Sequence, residues 1–284
     1  MPTAVIDGIP TAYEVVGTGP PLLMCAPGGF DAAMSKWRTL EKYRETRILD
    51  HLAERYSCIL YDRREAGASG GRVEPVTWGH YVAQAKGLLD HLGIDRAHLM
   101  GGCMGCSPVF AFAVAHPEIV RGMVLFWPVG GARFRIRGHA RFAEHLTFVT
   151  EQGLRGVVEL AMSHDDGFGK DPRIGPWGQV IRNDPAFAEP FLELDQVKYR
   201  EIVGAMVSGL LDRDTSPGAQ PEELFDAEVP ALIVPGHDAS HATSAARYLE
   251  ECLPRSDYWD VPVDEQTEDS VPGRVLAFLD SADG

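Results

Sequence analysis

One reactive side chain stands out in Gly101-Gly102-Cys103-Met104-Gly105. A short apolar run from Ala97 to Met100 leads into it, and an apolar, Ala-rich segment follows to His116. Strand, sharp turn, helix is the setting of a nucleophile elbow, where small flanking residues let the turn close under backbone strain. The positive end of a helix favours a thiolate over a thiol. A thiolate attacks an acyl carbon with less help from a base than a hydroxyl needs. Cys103 is therefore the expected nucleophile, and the competing reading is an inert cysteine in a turn that has lost its chemistry.

Attack on an acyl carbon creates a negative oxygen that needs donors already in place. Elbow geometry supplies one from the backbone N–H of Met104. The loop Gly28-Gly29-Phe30 is expected to supply the other from Gly29, although these glycines would serve a tight turn equally well. A second feature is a run of arginines, Arg133, Arg135, Arg137 and Arg141, with His139 among them and no acid between Gly131 and Arg141. In a chain of net charge −15 this local reversal suits guanidinium forks on a carboxylate or phosphate. Salt bridges to an acidic surface are the alternative. Phe30 and Trp127, with Trp37, Phe134 and Trp177, suit either an apolar pocket or the core. Cys106 makes a Cys-x-x-Cys with Cys103, a redox spacing, but a helical Cys here reads more simply as a small buried apolar residue. No second Cys or His pair shows metal-ligand spacing, so no metal or cofactor is implied.

The elements that must position these groups alternate. Strand-like runs at Ala4 to Ile6, Ala12 to Val16, Pro21 to Cys25, Cys58 to Tyr61, Ala97 to Met100 and Gly122 to Trp127 are separated by helical stretches at Ile48 to Tyr56 and Trp78 to Leu92. Short continuous apolar strands between amphipathic helices indicate a mostly parallel sheet covered on both faces. From Pro128 to about Asp226 only helices are expected: Arg141 to Gln152, Gly156 to Met162, Ala186 to Leu194 and Val197 to Leu211. Alternation resumes with strand Ala231 to Val234, helix Ser244 to Leu253, strand Tyr258 to Val261 and helix Pro272 to Phe278. The expected organisation is an α/β core (1–128 and 227–284) interrupted by an all-helical lid (129–226) over the edge where open α/β sheets bind ligands.

At 284 residues, 45% hydrophobic and 24% charged, the chain reads as an ordinary globular protein. Its acidity argues against nucleic acid and anionic membranes as partners, leaving a small-molecule substrate and, as an open question, a homodimer. The N-terminus does not read as a secretory signal, and no apolar run approaches the roughly 20 residues of a bilayer span. Five scattered cysteines form no disulfide framework and suggest a reducing cytoplasm.

Over essentially its whole length the chain resembles the α/β-hydrolase superfamily. The resemblance rests on Pro27-Gly28-Gly29-Phe30, Asp62-Arg63-Arg64-Glu65-Ala66-Gly67-Ala68-Ser69, the elbow, His116-Pro117-Glu118-Ile119-Val120 and Gly236-His237-Asp238, in that order. It implies an α/β-hydrolase fold with an inserted helical lid. The elbow cysteine is similar to that of the dienelactone-hydrolase-like minority. Asp238 matches the family's triad acid, with a loop or cap carboxylate as the alternative. The family places its histidine after the last strand, where this chain reads Asp264-Glu265-Gln266-Thr267-Glu268, and no histidine follows His241. His241, three residues beyond Asp238, is the first candidate base and Glu265 the second. His80, His91, His98 and His116 are expected to be structural. The expectation is a hydrolase of a small ester, lactone or thioester acting through an acyl-cysteine. Acyl transfer, C–C bond hydrolysis and a non-catalytic binding role are the alternatives.

Overall fold

The computed structural model describes residues 1–282. Eight strands form one sheet: β1 (Thr3–Ile6), β2 (Ile9–Val16), β3 (Pro21–Cys25), β4 (Ser57–Tyr61), β5 (Ala97–Gly102), β6 (Val120–Phe126), β7 (Ala231–Val234) and β8 (Ser256–Tyr258). Their order is β1-β2-β4-β3-β5-β6-β7-β8, antiparallel at β1–β2 and β2–β4 and parallel from β4 onward. Alternation along each strand explains the two cores. Leu23, Ile59, Leu99, Met123 and Ile233 face the helices Trp78–His91, Cys106–Ala115 and Thr243–Cys252. Leu22, Met24, Leu60, Val124 and Leu232 face Ile48–Ala53 and Val271–Ala282. Both faces are covered, which is why the inner strands read as unbroken apolar runs.

Because β3, β5, β6 and β7 run parallel, the loops that follow them gather at one edge. Between β6 and β7 lie only helices and turns, and their apolar faces close a third core around Phe142, Phe168, Trp177 and Tyr199 with Phe30 and Met104. The first of these helices differs from expectation. It begins at Ala132, runs to Ser163, and is broken at Gly153, whose φ of 68° departs from helical geometry. The arginine run thus lies on a helix. The last strand lies earlier than expected, ending at Tyr258: Trp259 N–H makes the final ladder bond to Ile233 O at 3.0 Å, and the chain then turns, with Val261 N–H on Trp259 O at 2.9 Å. Trp37 and Trp177 are core residues, each about 1% exposed. No helix among the described residues is long and apolar enough to cross a membrane.

Candidate active site

Cys103 stands at the turn between β5 and helix Cys106–Ala115 with φ 54°, a left-handed conformation costly for a residue with a side chain. The close fit around it explains the glycines. A Cβ at Gly105 would lie 2.2 Å from the Cys25 carbonyl, and one at Gly102 would lie 2.9 Å from the Tyr43 ring. Tyr43, buried beneath the elbow, donates to the Phe126 carbonyl at 3.4 Å and meets the Cys103 amide.

The loop after β7 brings Asp238 and His241 to the same place. Asp238 Oδ1 accepts the amides of Ser240 (2.7 Å) and His241 (3.0 Å), and Oδ2 pairs with His241 Nδ1 at 2.8 Å. One carboxylate thus builds the turn and orients the ring. Gly130 N–H holds the loop by donating to Ser240 O at 3.0 Å, and Trp127 packs on the imidazole with centroids 5.4 Å apart. Gly236 must lack a side chain here, since its Cβ would lie 2.6 Å from that of His241. His241 Nε2 is buried and faces the Cys103 sulfur, its hydrogen-bond partner.

Each group shifts the other's protonation. Burial alone would raise the Cys103 thiol. The His241 hydrogen bond and charge, with the amides of Gly28 and Met104, outweigh burial and hold it below its ordinary 9.0. Burial alone would lower His241, but Cys103 and then Asp238 carry it up from 6.5 to about 9. Both shifts run toward a thiolate–imidazolium pair. The other cysteines are different in kind: burial pushes Cys25 up to about 11 and Cys58 to about 12, and Cys106 also rises. Cys106 donates to Gly101 O at 3.1 Å and is a packed core residue.

A cavity of about 280 Å³ opens above Cys103, lined by Gly28, Gly29, Phe30, Met104, Val129, Phe134, Arg137, Gly138, Arg141, Gly169, Ser240 and His241. No carboxylate is among these lining residues, so its charge is positive. Of the expected residues, Phe30 and Arg137 line it, and Met104 and Gly29 stand at its base. Gly28 supplies a second amide to the sulfur beside Met104. Gly29 is fixed by its carbonyl, which accepts from buried Arg63 Nη2 at 2.6 Å, while that guanidinium stacks 4.3 Å from the Tyr81 ring.

Four expected residues stand outside the cavity. Arg135 is turned by the helical period to another face, where it bonds Leu211 O at 3.2 Å and approaches Asp214 at 3.7 Å. Arg133 is exposed one turn outside the cavity, and Arg141, one turn beyond Arg137, takes its place with Nη2 on Gly169 O at 3.1 Å. Trp127 lies behind His241 and outside the cavity wall. Glu265 is exposed on the turn Val263–Glu265 and is not among the lining residues. Its neighbour Gln266 is the buried one, accepting Trp127 Nε1–H at 2.6 Å and donating to Pro235 O at 2.8 Å. Arg63, Gln266 and Tyr43 were not foreseen as part of the site, since their roles depend on contacts between distant segments.

Comparison with known proteins bears on the fold. Residues 21–133 match a family model described as the alpha/beta hydrolase fold. The chain is 49% identical over 232 residues to 2-hydroxy-6-oxo-6-phenylhexa-2,4-dienoate hydrolase of Comamonas testosteroni, covering 80% of this chain and 73% of that protein. It is 31% identical over 113 residues to the putative carbamate hydrolase RutD of Azorhizobium caulinodans, covering 40% of this chain and spanning only 39% of that relative. The solved structure of MGS-M2, an alpha/beta hydrolase from a deep-sea metagenome library, superposes with TM-score 0.65 at 17% identity, covering 98% and 97% of the two chains.

Proposed function

Since the chain belongs to the α/β-hydrolase fold family, we propose that it is a hydrolase of small, anionic acyl compounds that works through an acyl-cysteine. One observation carries the reading: Cys103, in a left-handed turn at the cavity floor, is paired with an imidazole oriented by Asp238.

The steps follow from the groups present. The Cys103 thiolate attacks the acyl carbon, and the negative oxygen is received by the amides around Gly28, Gly29 and Met104. As the tetrahedral intermediate collapses, the bond to the leaving group breaks and protonated His241 delivers its Nε2 proton to that group. Neutral His241 then takes a proton from water, and the hydroxide adds to the thioester carbon. The C–S bond breaks, releasing a carboxylic acid and restoring the thiolate. Asp238 keeps Nδ1–H engaged throughout, so Nε2 always faces the chemistry. Residues 129–226 act as the lid, and Arg137 and Arg141 bind a carboxylate or phosphate on an ester, lactone or thioester.

A second reading is favoured by the Comamonas relative, named for a dienoate hydrolase: hydrolysis of a C–C bond next to a carbonyl. Here the leaving group is carbon and takes the proton instead. From a 6-oxo-6-phenyl substrate the acyl half departs as benzoate.

Intact-mass spectrometry after brief exposure to an acyl ester, a thioester and the phenyl dienoate tests both readings. A mass increase on Cys103 with turnover is expected, and the substrate with the highest kcat/KM decides between them. Turnover retained in Cys103→Ala would overturn the covalent mechanism.

A further inference from the structure

We propose that Asp31 is a positioning residue, whose carboxylate fastens residues 167–179 of the helical segment to the Gly28–Phe30 loop and so sets the oxyanion-binding amides. The role of those amides rests on the function proposed above. The latch itself is visible in the geometry. Asp31 follows Phe30 directly, and its own amide bonds back to Gly28 O at 3.1 Å, closing the loop into one turn. Its side chain points the other way, into the helical segment. Oδ2 accepts Gly169 N–H at 2.7 Å and Oδ1 accepts Gln179 Nε2–H at 3.0 Å.

The seat is built around this carboxylate. A Cβ at Gly167 or at Gly169 would lie 2.5 Å from it, so both positions must be bare for the approach. Gln179 uses its other end, Oε1, to accept Gly67 N–H at 2.6 Å, tying the same helix to the loop after β4. Gly169 is gripped on both sides: its N–H by Asp31 and its carbonyl by Arg141, the cavity arginine. The Phe30 ring meets Phe142 and Phe168 edge to face at 5.1 and 5.6 Å. From below, Arg63 holds the Gly29 carbonyl and so fixes the plane of the Gly29–Phe30 peptide. The loop that aims amides at the reacting oxygen is therefore clamped between the sheet and the helical segment, and Asp31 is the upper jaw.

Asp31→Asn is the incisive change. Both carboxylate oxygens accept from donors, and an amide of the same shape must turn an NH₂ toward one of them. Two rates then separate positioning from general damage. Alkylation of Cys103 by iodoacetamide, taken on its high-pH plateau where the Gly28 amide no longer decides how much thiolate is present, develops no oxyanion, whereas acylation by a p-nitrophenyl ester does. Acylation is expected to fall 10- to 100-fold, with alkylation unchanged within about twofold, since one oxyanion donor contributes roughly 10²–10³ to the rate. Amide hydrogen exchange should quicken together in residues 28–33 and 167–171. Gly169→Ala, which pushes on the latch from the other side, should give the same pattern, slower acylation and faster exchange with alkylation unchanged, and serves if Asp31→Asn folds poorly. Unchanged acylation, alkylation falling in parallel, or exchange rising in one segment alone would each overturn the proposal. A wild-type enzyme whose Cys103 the ester never acylates would count against the acyl-cysteine mechanism, and the exchange data would still decide the latch.

Discussion

Replacing His241 with glutamine isolates the pairing on which the chemistry depends. The ring is carried from 6.5 to about 9, against the opposing effect of burial. At about 1.4 kcal/mol per pH unit, that rise corresponds to roughly 3 kcal/mol in favour of the imidazolium. Part of it is returned to Cys103, whose thiol falls below 9.0 although burial is the largest single influence on it and acts upward. Without the ring, the Gly28 and Met104 amides are left to oppose burial, so the variant's thiol should titrate higher than the wild-type thiol. Two pH units below such a midpoint about one molecule in a hundred is thiolate, the nucleophilic form. Iodoacetamide rates at Cys103, followed by mass spectrometry from pH 5 to 10, read this directly. The wild-type profile should rise at lower pH than that of His241→Gln, which should still be climbing where the wild-type rate has reached its plateau. Superimposable profiles would refute the thiolate–imidazolium pair, whatever happens to turnover.

Cys103→Gly should abolish turnover yet raise stability by about 1 kcal/mol in chemical denaturation, because glycine relieves the left-handed backbone at φ 54°. Arg137→Gln should weaken binding of an anionic substrate by about 1.5–3 kcal/mol and leave neutral esters unaffected, while Arg135→Gln should do neither. For the same reason KM should rise with salt for charged substrates alone. His145 is fully buried between Arg173 O (2.9 Å) and the Tyr199 hydroxyl (2.7 Å), and burial lowers it from 6.5 to about 4. Its neutral form is therefore stabilising above pH 6.5, and that stability should drain away as pH falls from 6.5 toward 4, by roughly 3 kcal/mol. Thermal unfolding across that range should show the slope in wild type and a flatter line in His145→Gln.

The residues that could be read ahead of the structure are those whose signal is local. β5 with its glycines, the apolar runs of β3, β6 and β7, and the three-residue spacing of Asp238 and His241 each carry their geometry within a few positions. The arginines were half legible. Their charge was plain, but which of them faces the cavity depends on where the helix starts and how it docks, and a start at Ala132 puts Arg137 and Arg141 inward. The displaced base shows the same limit more sharply. Motif order looks for a histidine after β8 and finds Gln266, buried, with its two ends on Trp127 and Pro235. Trp127, itself left-handed at φ 57°, is held by that glutamine as the surface against which His241 packs. In the proposed reading the base and its support have exchanged loops: the loop after β7 carries both Asp238 and His241, and the segment after β8 supplies the brace. Gly236 makes the exchange sterically possible, because any Cβ there would occupy the space of the His241 side chain. In one dimension that glycine is indistinguishable from an ordinary turn residue.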